Sequence, residues 1–394
     1  MTDDVVITGM GIRSPIGCGE AAFWDSLCHG KSGAGPVDGL DTTDLPRSIA
    51  CQVRAPVDVG RPMGRASALA VAAARDAVTS AGLDLSALDA GRSSIIMGTT
   101  MGETEFIEER LASAEAEWLS PDHMRRILSG RPGSISANVQ ADLGVRGPAV
   151  DLYGACAAGN MAITSARRQL LDGACDVALA GGADGFSRLA FLGFMRLRVM
   201  SSGVCRPFDE ARDGLLVGEG GVVFVLERES SARARGATIR ARVTGASVTC
   251  ENYHPTRPHP DGDGLSRATN EALRDAGLSP ADVDYVCAHG TGTPQNDAIE
   301  VKVMAQCFPG GVAFSSIKAL TGHTMGAAAA VEVACCVLSL EHQKLIPTWH
   351  LESVLQPCPL DPIQGAVRSA KVRNVANNSA GFGGYNSSII LSAA

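Results

Sequence analysis

Cys156 stands in "VDLYGACAAGNMAI", crowded by Gly154, Ala155, Ala157, Ala158 and Gly159. An apolar run precedes it and a helical pattern follows. A strand, a sharp turn and a helix would place the thiol at a helix N-terminus. There the dipole and free N–H groups favour thiolate and can hold an oxyanion. The geometry is analogous to a nucleophile elbow, although GxSxG is not matched. A buried free cysteine in tight packing is the competing reading. His289 lies in "CAHGTGTPQND" and His323 in "SSIKALTGHTMGAAAAVE", each in a glycine-flanked loop after a short apolar run. Strand ends are where open α/β sheets place ligands, but a loop histidine also commonly satisfies buried carbonyls. Lys318 stands five residues before His323, in a chain with five lysines against twenty-nine arginines. It reads either as a surface lysine or as a buried cation that positions a histidine or carboxylate.

Other chemistries fit these residues less well. A zinc site from Cys156, His289 and His323 lacks any closely spaced ligand pair. A papain-like centre would show C-G-x-C-W and needs one histidine only. "GTGTPQ" lacks the last glycine of a dinucleotide loop, and "GFGGYN" opens no helix.

The elements that must carry these loops alternate in α/β fashion. "VVITGMG" reads as a strand entering a glycine loop. "ASALAVAAARDAVTSAG" reads as a helix, "SSIIMGTT", "PAVDLY", "DVALAGG" and "GVVFVLER" as strands. The second part repeats the grammar: helices at "TNEALRDAGL", "DAIEVKVMAQCF" and "MGAAAAVEVACCVLSLEHQ", strands at "VDYVCAHG", "VAFSSI", "VRNVANNS" and "SSIILSA". A seam is expected near residue 250. It divides 1–250, with the cysteine, from 251–394, with the two histidines.

Totals narrow the class. The 394 residues are 45% hydrophobic, enough for a large core. A formal net charge of -8 argues against a phosphate-backbone binder. Twelve cysteines without a CxxC pair point to free thiols in a reducing, cytoplasmic setting. The start "MTDDVVITGMG" lacks the basic region of a secretory signal. No apolar run approaches the ~18 uninterrupted residues of a membrane helix.

Taken in order, "VVITGMGIRSPIG", "YGACAAG", "RPFDEARDGLLVGEGG", "AHGTGTPQND", "SSIKALTGHTMGAAAAVE" and "NSAGFGGYN" resemble the β-ketoacyl-acyl carrier protein synthases. The resemblance covers essentially the whole chain. It implies a thiolase-like α/β fold, two related halves in five αβαβα layers, and a dimer with itself or with a homologous ketosynthase or chain-length-factor subunit. It implies that Cys156 carries the acyl chain as a thioester. It gives His289 and His323 the malonyl thioester carbonyl and its decarboxylation, with Lys318 and Glu332 in support. Thr291 and Thr293 would touch the phosphopantetheine arm, Phe194 would line the acyl pocket, and Phe382 would gate it. The backbone N–H of Phe382 would join that of Cys156 in an oxyanion hole. No cofactor is implied, since phosphopantetheine arrives on the acyl carrier protein. That partner is acidic, so a basic patch is expected at the tunnel mouth from Arg61, Arg65, Arg125, Arg126, Arg131 and Arg198. Arg198 would follow Phe194 by one turn if that stretch is helical.

The chain departs from the family pattern at Gly154, Asn296, Ala298, Ala329, Ala380 and Tyr385. Gly154, Ala380 and Tyr385 fall beside the family's pocket and point to an unusual acyl chain, which leaves fatty-acid, polyketide and polyene synthesis open. Two relatives remain as alternatives. A chain-length factor typically lacks the nucleophile. A thiolase-like acyltransferase without decarboxylation uses a second cysteine near the C-terminus, where this chain has "NSAGFGGYN".

Overall fold

The computed structural model describes residues 3–104, 108 and 132–394. Its first strand, β1 (Val5–Ser14), continues through Gly9 and Gly11, with a shift of register between Ile7 and Gly9. The expected glycine loop is therefore a strand, and the reason is steric. Two helices follow β1, α1 (Glu20–His29) and α2 (Arg65–Ser80), and a Cβ at Gly11 would lie 1.9 Å from the Ala73 carbonyl oxygen of α2. The glycines let a helix close onto the strand instead of turning the chain.

Among the described residues, four more strands of five residues or longer belong to the first half: β2 (Ser93–Thr99), β3 (Ala149–Tyr153), β4 (Val177–Asp184) and β5 (Gly220–Arg228). The second half holds β6 (Ala241–Cys250), β7 (Tyr285–Cys287), β8 (Ala313–Ser315), β9 (Asp361–Pro362), β10 (Asn374–Ala380) and β11 (Tyr385–Ala393). They form one sheet in the order β9-β8-β7-β10-β11-β6-β1-β5-β4-β2-β3. Read outward from the centre, the first half runs β1-β5-β4-β2-β3 and the second β6-β11-β10-β7-β8, the same path with the two-residue β9 added at its outer edge. Directions match as well. β2 is parallel to β3 and β4, as β7 is to β8 and β10, while the two strands nearest the centre are antiparallel. The halves meet where Val5–Ile7 pair with Ala241–Val243.

The helices follow the same duplication. α2 and α3 (Ser134–Leu143) cover the outside of the first half. Between the halves lie α4 (Ala158–Leu171) and, from the second half, an equivalent helix described below. A short helix, α5 (Arg188–Arg196), follows β4; the alternation of elements did not suggest it. α6 (Asp263–Asp275) and α7 (Pro294–Cys307) cover the second half. α8 is a single turn, Lys318–Thr321, and α9 (Ala328–His342) is the partner of α4 in the middle layer. The result is the expected αβαβα sandwich. Among the described residues one helical stretch, 325–342, is long and apolar enough to cross a membrane. Its side chains are packed inside the protein, because α9 faces a sheet half on each side.

The middle helices start alike. Ala155 (φ 49°) opens a 3-10 turn, Ala155–Ala157, that runs into α4. Met325 (φ 55°) opens a 3-10 turn, Met325–Ala327, that runs into α9. Left-handed backbone at a non-glycine residue is costly and persists where surroundings enforce it. Here the surroundings are very close. A Cβ at Gly98 of β2 would sit 2.2 Å from the Ala158 carbonyl, and one at Gly159 would sit 2.7 Å from the Ala330 nitrogen. Gly98→Ala should therefore push the start of α4, and Cys156 with it, at a cost of about 1–3 kcal/mol. Thermal melts and acyl labelling of Cys156 should both fall, and an unchanged melt would contradict this packing account.

Candidate active site

Cys156 lies in the 3-10 turn, 6% exposed, with glycines and alanines around it. Its carbonyl accepts from Ser379 Oγ at 3.0 Å, which ties the turn to the end of β10. The backbone N–H groups of Phe382 and of Cys156 itself face the sulfur. His289 lies two residues beyond β7, and His323 lies between α8 and the turn that opens α9. The sulfur and a ring nitrogen of each histidine all fall within 4.8 Å of one another. The two rings are 5.4 Å apart and nearly perpendicular.

Each imidazole is oriented by a donor on Nδ1. Lys318 Nζ is 3.2 Å from His289 Nδ1 and donates to the His289 carbonyl at 2.6 Å. The Met325 N–H donates to His323 Nδ1 at 3.1 Å. With Nδ1 accepting, a neutral ring carries its proton on Nε2. Burial, reinforced by the Lys318 charge, pushes His323 down to about 3 and His289 well below the usual imidazole range. Both rings are therefore neutral donors at pH 7. Lys318 is itself buried, not a surface residue, and pairs with Glu332 of α9. Burial raises the Glu332 carboxyl, and Lys318 pulls it back.

The electrostatics correct one expectation. Burial, the largest effect on Cys156, pushes its thiol up to about 11. Lys318 and the two N–H groups pull the other way without overcoming it. The resting group is the thiol, because a short 3-10 lead-in gives less stabilisation than desolvation removes.

Cys156, His289 and His323 line one cavity of about 450 Å³. Phe194, Thr291, Thr293, Phe382 and Ala380 line it too. Phe194 of α5 and Phe382 have ring centroids 5.6 Å apart. Thr291 and Thr293 share a hydroxyl hydrogen bond of 2.8 Å. Arg198 lines the cavity as expected but is not helical, since α5 stops at Arg196 and Arg198 has φ 58°. Arg65 is a correction. It is turned inward onto Glu219 at 2.8 Å and the Val53 carbonyl at 2.7 Å, so its guanidinium serves the fold rather than a docking face. Arg61 is exposed and donates to the Asn138 carbonyl at 2.9 Å. Arg125, Arg126 and Arg131 lie outside the described residues.

Two acids escaped the sequence reading. Glu300 Oε1 accepts the His289 N–H at 2.6 Å and Oε2 the Gly290 N–H at 2.7 Å. Asp297 accepts from the backbones of Phe208, Thr291 and Gly292. Both sit on the first turns of α7 and hold the histidine loop from behind. The signal was available: two acids three apart in "NDAIE", directly after the "AHGTGT" loop, share one helix face.

The family models decide the kinship. The β-ketoacyl synthase N-terminal domain matches residues 2–232 and the C-terminal domain residues 240–352. The chain belongs to the β-ketoacyl synthase family. It is 34% identical to the 3-oxoacyl-[acyl-carrier-protein] synthase 2 of Staphylococcus aureus (strain COL), over 98% of this chain and 97% of that protein. It is 34% identical to the synthase 2 of Synechocystis sp. (strain ATCC 27184 / PCC 6803 / Kazusa), over 97% and 96%. The ishigamide ketosynthase/chain length factor superposes with a TM-score of 0.94 at 37% identity, over 100% of both chains. A type II polyketide ketosynthase solved with its acyl-carrier protein, AntDE:AntF, superposes at 0.92 with 29% identity, also over 100% of both.

The raised thiol pKa sets an expectation for this synthase. Alkylation of Cys156 by iodoacetamide should keep climbing with pH beyond 9. Peptide mapping of the label across pH checks it, and a plateau near neutrality would mean that the thiolate is already formed in the resting enzyme.

Proposed function

We propose that this chain catalyses the decarboxylative condensation of an acyl thioester with malonyl-acyl carrier protein, giving β-ketoacyl-acyl carrier protein. The observation that carries the reading is one thiol within reach of two neutral, Nε2-protonated imidazoles at one end of a cavity. In the first half-reaction the Cys156 sulfur attacks the acyl thioester carbonyl. Its proton leaves for the departing pantetheine thiolate, the new C–S bond forms, and the Phe382 and Cys156 N–H groups hold the oxyanion. In the second, malonyl thioester binds with its carbonyl oxygen toward the two Nε2–H groups. Loss of CO₂ leaves an electron pair on the α-carbon and an enolate on that oxygen. The α-carbon attacks the acyl-Cys156 carbonyl, and the sulfur departs as the leaving group. Neutral donors suit this step because they stabilise the charge that develops without binding the substrate as a permanent ion pair.

Thr291 and Thr293 present hydroxyls along the cavity wall where a pantetheine amide would pass. Phe194, Phe191, Leu215 and Met325 form the apolar cluster that would receive the acyl chain. Ala380 lines the cavity with a small side chain, which suits chains of unusual shape in polyketide or polyene synthesis as well as fatty-acid synthesis, whereas at Gly154 a Cβ would meet the Met161 sulfur at 2.1 Å, so that glycine admits Met161 rather than substrate. Tyr385 caps the Phe382 turn. A chain-length factor would have no use for the thiol, and a non-decarboxylating thiolase would have no use for both imidazoles. Two imidazole donors and a nucleophilic sulfur suffice for the condensation, so the reading carries no metal and no cofactor beyond the carrier's phosphopantetheine. A cytoplasmic location fits a carrier-borne substrate.

The partners follow from the same reading. β3 ends the sheet with Val150 and Tyr153 exposed, an edge suited to pairing with a second copy or a homologous subunit. We also place a two-part division of the chain here. The thiol belongs to 1–250 and the imidazoles to 251–394, although the long pairing of β6 with β11 draws the seam toward the N-terminal end of β6. Arg198 at the mouth is the described arginine that best fits docking of an acidic carrier, with Arg125 and Arg126 as its expected company.

His289→Ala and His323→Ala should each still accept an acyl group on Cys156 but lose condensation by on the order of 10²–10³-fold. Intact-protein mass spectrometry follows the first step and product chromatography the second. Near wild-type condensation in either variant would remove that imidazole from the mechanism. Arg198→Glu should raise the KM for carrier-bound substrate, more at low salt than at high, while sparing a small pantetheine thioester. Equal loss with both substrates would instead give Arg198 to the pocket.

A further inference from the structure

The tautomer of His323 depends on one backbone N–H, and that N–H belongs to a strained turn. Met325 donates to Nδ1 at 3.1 Å from a left-handed conformation. The His323 backbone is pinned independently, its N–H on the Leu216 carbonyl at 2.7 Å and its carbonyl on the Gly218 N–H at 2.8 Å. What remains to be held is the turn after it. The next N–H, that of Gly326, points at a carboxylate: Asp184, at the end of β4, accepts it at 2.6 Å.

Asp184 is 0% exposed and takes no part in either half-reaction. Both oxygens are filled. Oδ1 accepts from Thr99 Oγ1 at 2.6 Å and the Met101 N–H at 2.8 Å. Oδ2 accepts from the Thr100 N–H at 2.8 Å as well as from Gly326. One carboxylate thus binds the end of β2 and the entry of α9, from opposite halves of the fold. The fit leaves no slack, since a Cβ at Gly326 would lie 2.5 Å from the Thr100 nitrogen and one at Gly182 would lie 2.7 Å from the Gly326 carbonyl oxygen.

We propose that Asp184 is a positioning residue for His323: it fixes the turn whose Met325 N–H holds the imidazole in the Nε2–H tautomer. This rests on the reading that His323 donates to the malonyl carbonyl. Four donors converge on Asp184, three of them backbone N–H groups, and an amide there offers one accepting oxygen and an NH₂ that must face either the Met101 N–H or the Thr100 and Gly326 N–H groups, so the junction is broken on one side or the other. The turn then loses its anchor, at Gly326 or at the end of β2, Met325 relaxes from its left-handed conformation, and its N–H leaves Nδ1. A ring freed in this way also populates the Nδ1–H form. That form presents a lone pair, not a proton, to an oxygen that is becoming an anion.

The test uses the full-length enzyme and Asp184→Asn, with ¹⁵N-histidine labelling. The His323 resonances are assigned by their absence in His323→Ala. In the wild type, Nδ1 should show the shift of an unprotonated nitrogen and Nε2 that of a protonated one. In Asp184→Asn this pattern should be lost or mixed. Condensation should fall on the order of 10²-fold, the scale of a misplaced catalytic group, while acylation of Cys156 in the absence of malonyl substrate is retained. Equal loss of acylation and condensation would reduce Asp184 to a structural residue, and unchanged condensation would remove it from the mechanism. The wild-type spectrum decides even if the variant does not fold, because a proton on Nδ1 overturns the proposal. A wild type that fails to condense would overturn the reading of function instead, and the spectrum would still report on Asp184.

Discussion

A charge pair with almost no water around it, Lys318 against Glu332, joins three segments that otherwise have little reason to meet. Their side chains are 2% and 1% exposed. Removing two such ions from water is expensive, and their attraction offsets the cost only when the remaining donors are satisfied. Lys318 meets that condition, since its three N–H groups face Glu332, the His289 carbonyl and His289 Nδ1. The loop after β7, the single turn α8 and the helix α9 are thereby locked together. The same cation lowers the pKa of both imidazoles and of the Cys156 thiol. Taking away either partner would strand the other, at about 3–5 kcal/mol.

Around that pair the fold uses one turn twice. A left-handed residue, a 3-10 turn and a middle helix occur at Ala155 and again at Met325. In each case the strand end of the opposite half braces the turn: Ser379 on the Cys156 carbonyl, Asp184 on the Gly326 N–H. One copy presents a nucleophile, the other the backbone that steadies a histidine. The duplicated architecture thus places two different chemistries face to face across one cavity.

Much of this was legible in the residues, and the failures have physical causes. The alternation of apolar runs and helices located most strands, because buried strands between helices read as continuous apolar segments. Gly9 and Gly11 misled, since their role is to admit α2 against a strand, which local sequence cannot distinguish from a turn. Cys156, His289, His323 and Lys318 stood out through spacing and scarcity. The protonation of Cys156 did not, because burial arises from elements far away in the chain. Arg65 looked like surface charge until Glu219, 154 residues on, claimed it. Asp184 was invisible for the same reason: an acid that accepts backbone N–H groups in the core carries no local mark of it, whereas Asp297 and Glu300 left one in their spacing after the histidine loop.

β11 has one consequence for how the molecule comes into being. It follows every other strand named above in the chain, yet it lies inside the sheet between β6 and β10. During synthesis from the N-terminus, Cys156 emerges long before either histidine. The sheet cannot become continuous until residues 385–393 arrive. Until then β6 and β10 lack their common neighbour and the Phe382 turn has no second strand to return on. The nascent chain therefore carries its thiol without the N–H of Phe382 above it. The surroundings of the thiol are complete only once residues 382–393 have been made, and those residues fill the centre of the sheet rather than its edge.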